Sequence, residues 1–402
     1  MSVIHRSWSY YQKSFTGFST EIWWLSLVTL INRAGAMVIP FLSLYLTSDR
    51  GFSLEDVGWV MTSFGAGSIA GAWIGGQLSD RVGFYKIMVW SLVSSGVLLV
   101  LLSFIESYWG IIAGVFFFML TSDAFRPAVY VAITAYSKPG NRTRAVTLIR
   151  LAINLGFSVG PALGGLIIST IGYNLLFWVD GITCVIAGLL ITMLLNPKSQ
   201  PVKAVKEETT KQLAPYKDYD YLIFLTALFV FATMFFQYFS LMPVFYKQDR
   251  GLTEGEIGLL MALSGLLIFI FEMPLIYALD HRERFSRFMI LFFSAVLLGF
   301  GFLIVNFSGW GGYLVIGLIL ATIAEMLCFP FANTVAMERG SRGSTGMYMA
   351  YFQIAFSMAH LVGHNLGMQL SDNYGYAVVM YLFTGGALLS GLLFWLVKGK
   401  LL

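Results

Sequence analysis

The sequence predicts an all-α integral membrane protein of twelve transmembrane helices, arranged as two six-helix bundles related by a parallel, pseudo-twofold repeat. Three observations carry this reading: the composition, a succession of twelve apolar runs, and an internal repeat. Hydrophobic residues make up 57% of the 402 positions and charged residues 11%, against about 25% charged in a soluble domain. Such a chain hides its surface in lipid rather than in water. Its two cysteines, Cys184 and Cys328, sit in apolar runs and build no disulfide scaffold, and its four histidines lack zinc-site spacing, so no metal or other cofactor is expected. The formal charge of +4 does not mark a nucleic-acid binder, because no basic face interleaved with aromatics exists.

A helix needs about 20 apolar residues to cross the ~30 Å hydrocarbon layer. Runs of that length cover 21–47, 55–79, 84–105, 109–136, 144–169, 173–195, 220–246, 255–278, 287–307, 311–337, 344–370 and 375–397. The connections are short except 196–219, which opens Asn196-Pro197-Lys198 and is rich in lysine and glutamate. This divides the chain into an N-terminal bundle (1–195), a linker (196–219) and a C-terminal bundle (220–402). Of the 25 lysines and arginines, nineteen fall on the side of the N-terminus and three on the opposite side. Positive residues stay in the cytoplasm, so both termini and the linker are expected there, with the chain crossing the cell membrane many times. The first twenty residues carry His5, Arg6 and Lys13 but no apolar core with a cleavage site, so no signal peptide is expected.

Asp49-Arg50-Gly51-Phe52-Ser53-Leu54-Glu55-Asp56-Val57-Gly58 returns 200 positions later as Asp249-Arg250-Gly251-Leu252-Thr253-Glu254-Gly255-Glu256-Ile257-Gly258. At an offset of 203, Pro127 meets Pro330, Gly160 meets Gly363, Gly164 meets Gly367, and Gly172-Tyr173 meets Gly375-Tyr376. Copies of an even number of helices enter the membrane from the same side, and such parallel halves enclose a site that rocking opens to either face.

At Gly76-Gln77-Leu78-Ser79-Asp80-Arg81-Val82-Gly83-Phe84-Tyr85-Lys86 the chain resembles the loop signature of the major facilitator superfamily, with a weaker copy at Asp280, Arg282 and Arg287. The resemblance implies a secondary transporter in which Gly76, Asp80, Arg81, Gly83 and Lys86 form a conformational latch. A fifth-span segment with Gly156, Gly160, Pro161, Gly164 and Gly165 is similar to the antiporter motif of the drug–proton efflux branch, as is Glu325 through Pro330 in the tenth span. This implies proton-coupled efflux of small amphipathic or lipophilic compounds by alternating access. Several efflux relatives carry a carboxylate in the first span, where this chain has Asn32 and Arg33. Arg33, with Asn154 in the fifth span, is also similar to the proton-coupled peptide transporters, which implies the alternative of a symporter for a polar solute such as a short peptide or an organic acid. Neither a nucleophile triad nor a phosphate loop is present, so the chain reads as no enzyme, and an ion, the proton, is the expected driving force.

Ionisable groups inside a membrane span cost about 2.5–3.5 kcal/mol each and ask for a reason. Glu325, Asp123 and Glu272 are the candidate proton-coupling carboxylates: desolvation brings such groups toward physiological titration, and Glu272 precedes Pro274, which loosens its helix. Arg33, Asn32, Arg126, Tyr130, Asn154, Tyr238, Phe352 and His360 are the candidate lining of the substrate cavity. Asp123 and Arg126, three apart, share a helix face and serve either as an ion pair ordering the fourth span or as a coupling element. Arg150 reads as a snorkelling residue and Asp180 as a packing residue. His360 and His364, four apart, read as cavity polarity or as half of a metal site. Gly67, Gly71 and Gly75, like Gly156, Gly160 and Gly164, recur every fourth residue, which lets helices approach closely. The expected partners are a small-molecule substrate and the bilayer, with no obligatory protein partner and a monomer as the working unit.

Overall fold

The computed structural model describes residues 17–137, 142–197, 215–280, 286–307, 309–341 and 345–398. Among these the chain is entirely helical: α1 (Thr20–Gly35), α2 (Val38–Leu44), α3 (Leu54–Leu78), α4 (Phe84–Leu102), α5 (Tyr108–Asp123), α6 (Phe125–Tyr136), α7 (Arg142–Thr170), α8 (Tyr173–Leu194), α9 (Tyr219–Phe235), α10 (Leu241–Gln248), α11 (Glu254–Asp280), α12 (Arg287–Val305), α13 (Gly312–Ser341) and α14 (Thr345–Leu396). Eleven stretches among the described residues are long and apolar enough to cross a membrane, the last of them 50 residues long. That last stretch is broken at Gly375, whose φ of 76° no helix holds. Gly172, its repeat counterpart between α7 and α8, has a φ of 116°.

The repeated turn is built twice in the same way. Gly51 and Gly251 take φ of 69° and 70°, the left-handed conformation that favours glycine after a helix. Arg50 N–H donates to the Tyr45 carbonyl and Arg250 N–H to the Phe245 carbonyl, at 3.1 and 3.2 Å. The next helix is then capped in both copies: Asp56 N–H donates to Ser53 Oγ at 3.1 Å and Glu256 N–H to Thr253 Oγ1 at 3.3 Å, a reciprocal arrangement of hydroxyl and carboxylate. Each arginine also lies over an aromatic ring, Arg50 over Tyr45 and Arg250 over Phe245.

The chain packs as two compact units. The first comprises Met1–Met37, Gly67–Gly160 and Asn174–Lys203; the second comprises Val38–Ala66, Pro161–Tyr173 and Ala204–Leu402. Boundaries thus fall within the first, second and fifth predicted spans as well as in the linker. In the first unit, Ile22, Leu25, Phe84, Met88, Phe125 and Ile133 belong to one buried cluster. Close helix contacts come from glycine: a Cβ on Gly75 would lie 2.5 Å from Ala124 Cα, and one on Gly96 2.5 Å from the Gly181 carbonyl oxygen. In lipid, where apolar burial gains nothing, such contacts drive association. In the second unit the aromatic load is heavier, with Tyr221, Phe224, Phe231, Phe288, Phe302, Phe383 and Phe394 all buried.

Backbone breaks inside lipid need partners, because no water reaches them. The first predicted span breaks between Gly35 and Val38, and the N–H of Met37 is shared between the Gly35 carbonyl at 2.6 Å and Asp180 Oδ2 at 3.1 Å. Cys184 Sγ lies 3.7 Å from Asp180 Oδ1, and Asn32 Nδ2 donates to that sulfur at 3.4 Å. Asp180 is therefore the packing residue expected of it.

Candidate functional site

In the first unit, Asp123 ends α5 and Arg126 opens the first turn of α6. The short break between the helices turns both side chains to the same place, with Arg126 Nη2 3.8 Å from Asp123 Oδ1. Ser68 Oγ donates to the second carboxylate oxygen, Oδ2. The Asp123 side chain is 9% exposed and that of Arg126 46%, so the carboxylate is the buried partner and the guanidinium faces outward from it. Arg33 lies at the last turn of α1 with its guanidinium carbon 5.6 Å from the Phe157 ring centroid. Its Nε is buried and has no hydrogen-bond partner among the described residues. The charged groups that act on Arg33 are Arg126, Asp123 and Asp180, two guanidinium groups against two carboxylates. Asn154 is half-buried on α7, one helical turn before Ser158.

Two expected lining residues make packing contacts. Asn32 is buried with its amide on Cys184, so it braces the break in the first span. The Tyr238 ring packs 5.1 Å from Phe302, and its hydroxyl donates to the Gly317 carbonyl at 3.5 Å. Tyr238 is thereby a packing residue between helices of the second unit. Tyr130 is exposed and Phe352 buried. Arg150 is exposed on α7, in keeping with a snorkelling side chain.

The second unit holds the other candidates. Glu325 is half-buried on α13, five residues before Pro330. Glu272 is buried on α11, two residues before Pro274. His360 and His364 meet, Nδ1 of the former 3.3 Å from Nε2 of the latter. Among the described residues no group of three or more metal-binding side chains accompanies them. The latch segment makes a π-helical turn, Ser79–Gly83, which Gly83 closes at φ 99°; Arg81 and Lys86 are exposed and Gly76 is half-buried. The Asp80 and Asp280 side chains and Arg282 lie outside the described residues.

The antiporter-like segment divides between the units. In the first, Gly156 lies against α1: a Cβ there would fall 2.5 Å from Arg33 Cβ, and one on Gly160 3.1 Å from the Ala34 carbonyl oxygen. In the second, Pro161 and Gly165 face α11, with a Cβ on Gly165 3.0 Å from Gly258 Cα. Gly164, also buried, continues the same helix.

One cluster is not legible in the sequence. Asp218 caps α9, accepting from Tyr221 N–H at 3.2 Å. Arg339, at the end of α13, grips it with Nε at 2.7 Å and Nη2 at 3.0 Å, and Tyr348 donates its hydroxyl at 2.8 Å. Burial acts to raise the Asp218 pKa, but the donors Arg339, Tyr348 and Tyr221 N–H outweigh it and hold the carboxyl below its usual range. Only the acidic residue before an aromatic helix start hints at a cap. Neighbouring Arg287 pairs with Glu338.

The sequence matches the family model of the Major Facilitator Superfamily over residues 25–364. It is 25% identical over 394 residues to the "Uncharacterized MFS-type transporter YqjV" of Bacillus subtilis (strain 168), covering 92% of both chains. It is 25% identical over 377 residues to the "Multi-drug resistance efflux pump PmrA" of Streptococcus pneumoniae, covering 88% of this chain and 89% of the pump. The crystal structure of a peptide transporter POT in complex with sulfate superposes with a TM-score of 0.79 at 14% identity, covering 96% of each chain, a likeness of fold. With its membrane-length helices, its buried intramembrane charges and this match along most of its length, the chain belongs to the Major Facilitator Superfamily and is an integral membrane transporter of a small molecule, not an enzyme.

Proposed function

We propose that the protein exports small amphipathic or lipophilic compounds across the cell membrane in exchange for protons. Twelve helices in two parallel bundles, with both termini and the linker in the cytoplasm, alternate between inward and outward access. The observation that carries this reading is the antiporter-like segment of α7. Its glycines are spent on backbone contact, Gly156 and Gly160 against α1 and Gly165 against α11, as expected of a motif whose work is to hold helices together in one state of an exchange cycle. The likeness to a multidrug efflux pump along most of both chains supports the same direction.

Glu325 carries the driving proton, with Asp123 and Glu272 as the further carboxylates of the pathway. Arg126 pairs with Asp123. Moving one charge through 100 mV supplies about 2.3 kcal/mol, and with about 1.4 kcal/mol per tenfold one proton sustains roughly a 50-fold gradient of a neutral compound. No cofactor or protein partner is required, and a monomer suffices.

The test is flux in proteoliposomes under an imposed pH gradient, with a lipophilic dye as substrate. Wild type should move the dye against its gradient, and Glu325→Gln, which imitates the protonated carboxyl, should still bind it but lose gradient-driven movement. Undiminished pumping by the variant would remove Glu325 from the coupling role. One observation favours a second reading, symport of a polar anionic solute such as an organic acid or short peptide: the Nε of Arg33 is buried with no hydrogen-bond partner among the described residues. Proton-driven uptake of such solutes, without dye movement, would select it.

A further inference from the structure

The second unit contains a histidine pair that the coupling scheme above leaves unused. His360 and His364 stand one turn apart on α14 and share a hydrogen bond, Nδ1 to Nε2, at 3.3 Å. Three phenylalanines touch them. Phe236 stacks on His360 with ring centroids 3.5 Å apart and planes at 27°. Phe356 meets His360 at 5.5 Å, and Phe64 of α3 meets His364 edge-on at 5.7 Å. His364 is only 2% exposed, and its Nδ1 is buried with no hydrogen-bond partner among the described residues.

The pair sits in the seam where the first half of α3 lies along α14. A Cβ on Gly65 would fall 2.7 Å from Leu361 Cα, and one on Gly58 3.3 Å from Met368 Cβ. Asn365 donates to Thr62 at 2.7 Å, and Gln369 to the Glu55 carbonyl at 3.3 Å. The charged groups on the elements around the pair are Glu55 and Asp56 at the start of α3, Asp220 at the start of α9, Glu325, Glu338 and Arg339 on α13, and Asp372 on α14. Glu325 precedes by one turn Phe329, which packs 5.3 Å from Phe356. On the α9 side the neighbours are Phe236 and the neutral Gln237, whose amide donates to the Gly363 carbonyl at 2.6 Å.

The internal repeat makes this arrangement more pointed. His360 stands 203 residues after Phe157, the ring that carries the Arg33 guanidinium in the first copy. In the second copy the roles are exchanged: the helix that repeats the first span supplies the ring, Phe236, and α14 supplies a group that can become a cation. A protonated His360 over Phe236 would restore the same ring and cation pairing.

We propose that His360 and His364 form a second proton-binding site, which takes up a proton when α3 parts from α14 and must release it before that seam closes. The inference rests on the proton-driven reading above. In the neutral tautomer that the site requires, His364 Nε2–H donates to His360 Nδ1 and His360 carries its own proton on Nε2, so His364 Nδ1 holds a lone pair and a further proton binds there. In the closed seam that N–H would be buried without an acceptor, which disfavours the charged form. In the open seam water solvates it. The proton arrives from water and returns to it, and no other bond changes.

The experiment follows the seam itself rather than transport. Spin labels on Glu55→Cys and Asn373→Cys, in the full chain reconstituted in liposomes, report the open and closed populations by double electron–electron resonance between about pH 8 and pH 5. One coupled proton shifts the open-to-closed ratio by up to about tenfold per pH unit, opening as the pH falls. His364→Asn, and His360→Asn as the less buried alternative, should flatten that dependence while the two distances persist. A wild-type ratio that does not change with pH overturns the proposal even if neither variant folds, as does a slope unchanged in both variants. Wild type that opens with acid but shows no gradient-driven flux overturns the export reading and leaves the histidine site standing; flux without a pH-dependent seam does the reverse.

Discussion

Replacing Gly165 with alanine tests whether the α7–α11 contact holds one state of the cycle. The added Cβ would sit 3.0 Å from Gly258 Cα and closer still to the Glu254 carbonyl oxygen. Both neighbours are backbone, so no side chain can rotate away, and the two helices must separate. Gly258 offers no relief, since its own approach to the Pro161 carbonyl and Gly165 Cα is equally tight. Overpacking of this kind costs about 1–3 kcal/mol, and in lipid no apolar burial restores the contact. The closed form of the seam should therefore lose about 5- to 150-fold in population. A single cysteine at Ser169, one turn beyond Gly165, reads this out through its rate of reaction with a membrane-impermeant maleimide, since Cys184 and Cys328 are buried. The Gly165→Ala chain should label faster by a factor within that range and should transport more slowly. Unchanged labelling with unchanged flux would refute the argument that backbone contact at this point sets the conformational balance.

The Asp218 cluster predicts a stability effect with a defined pH sign. Its carboxyl is held below the usual range, so its contribution is complete above the unfolded aspartate value of about 3.9 and is lost as the pH falls through the lower folded value. Asp218→Asn should cost about 1–3 kcal/mol at neutral pH, and the acid limb of the thermal unfolding curve should flatten; an unaltered acid limb would remove Asp218 as its source. For topology, single cysteines at Lys203 and Tyr108 should react with impermeant reagents from opposite sides of the membrane, and reaction from one side would undo the assignment of helices.

The predicted spans match the helices closely because runs of twenty apolar residues and positive-φ glycines are strong local signals. Gly172 and Gly375, found by the repeat, mark real turns. The breaks inside spans were not legible. Nothing between Gly35 and Val38 announces an interruption, because what permits it is Asp180, some 143 residues away, accepting from the Met37 N–H. The same distance problem hid the packing contacts of Asn32 and Tyr238. Polarity in an apolar helix suggests a cavity, whereas here it meets Cys184 and the Gly317 carbonyl. Asp123 and Arg126 were legible because they are three residues apart; Asp218 and Arg339, 121 apart, were not.

The repeat brings one last consequence. Gly258 against Gly165 and Gly58 against Met368 are the same contact made twice, since Gly58 precedes Gly258 by 200 residues and Met368 follows Gly165 by 203. In a dimer of identical subunits both contacts would have to be identical, because symmetry copies every change to both places. Two copies within one chain are free of that constraint. One joint is made of backbone, with Pro161, Gly165 and Gly258. Its twin has acquired Thr62, Asn365 and two imidazoles, so chemistry can act on one side of the pair while the other remains a plain mechanical bearing.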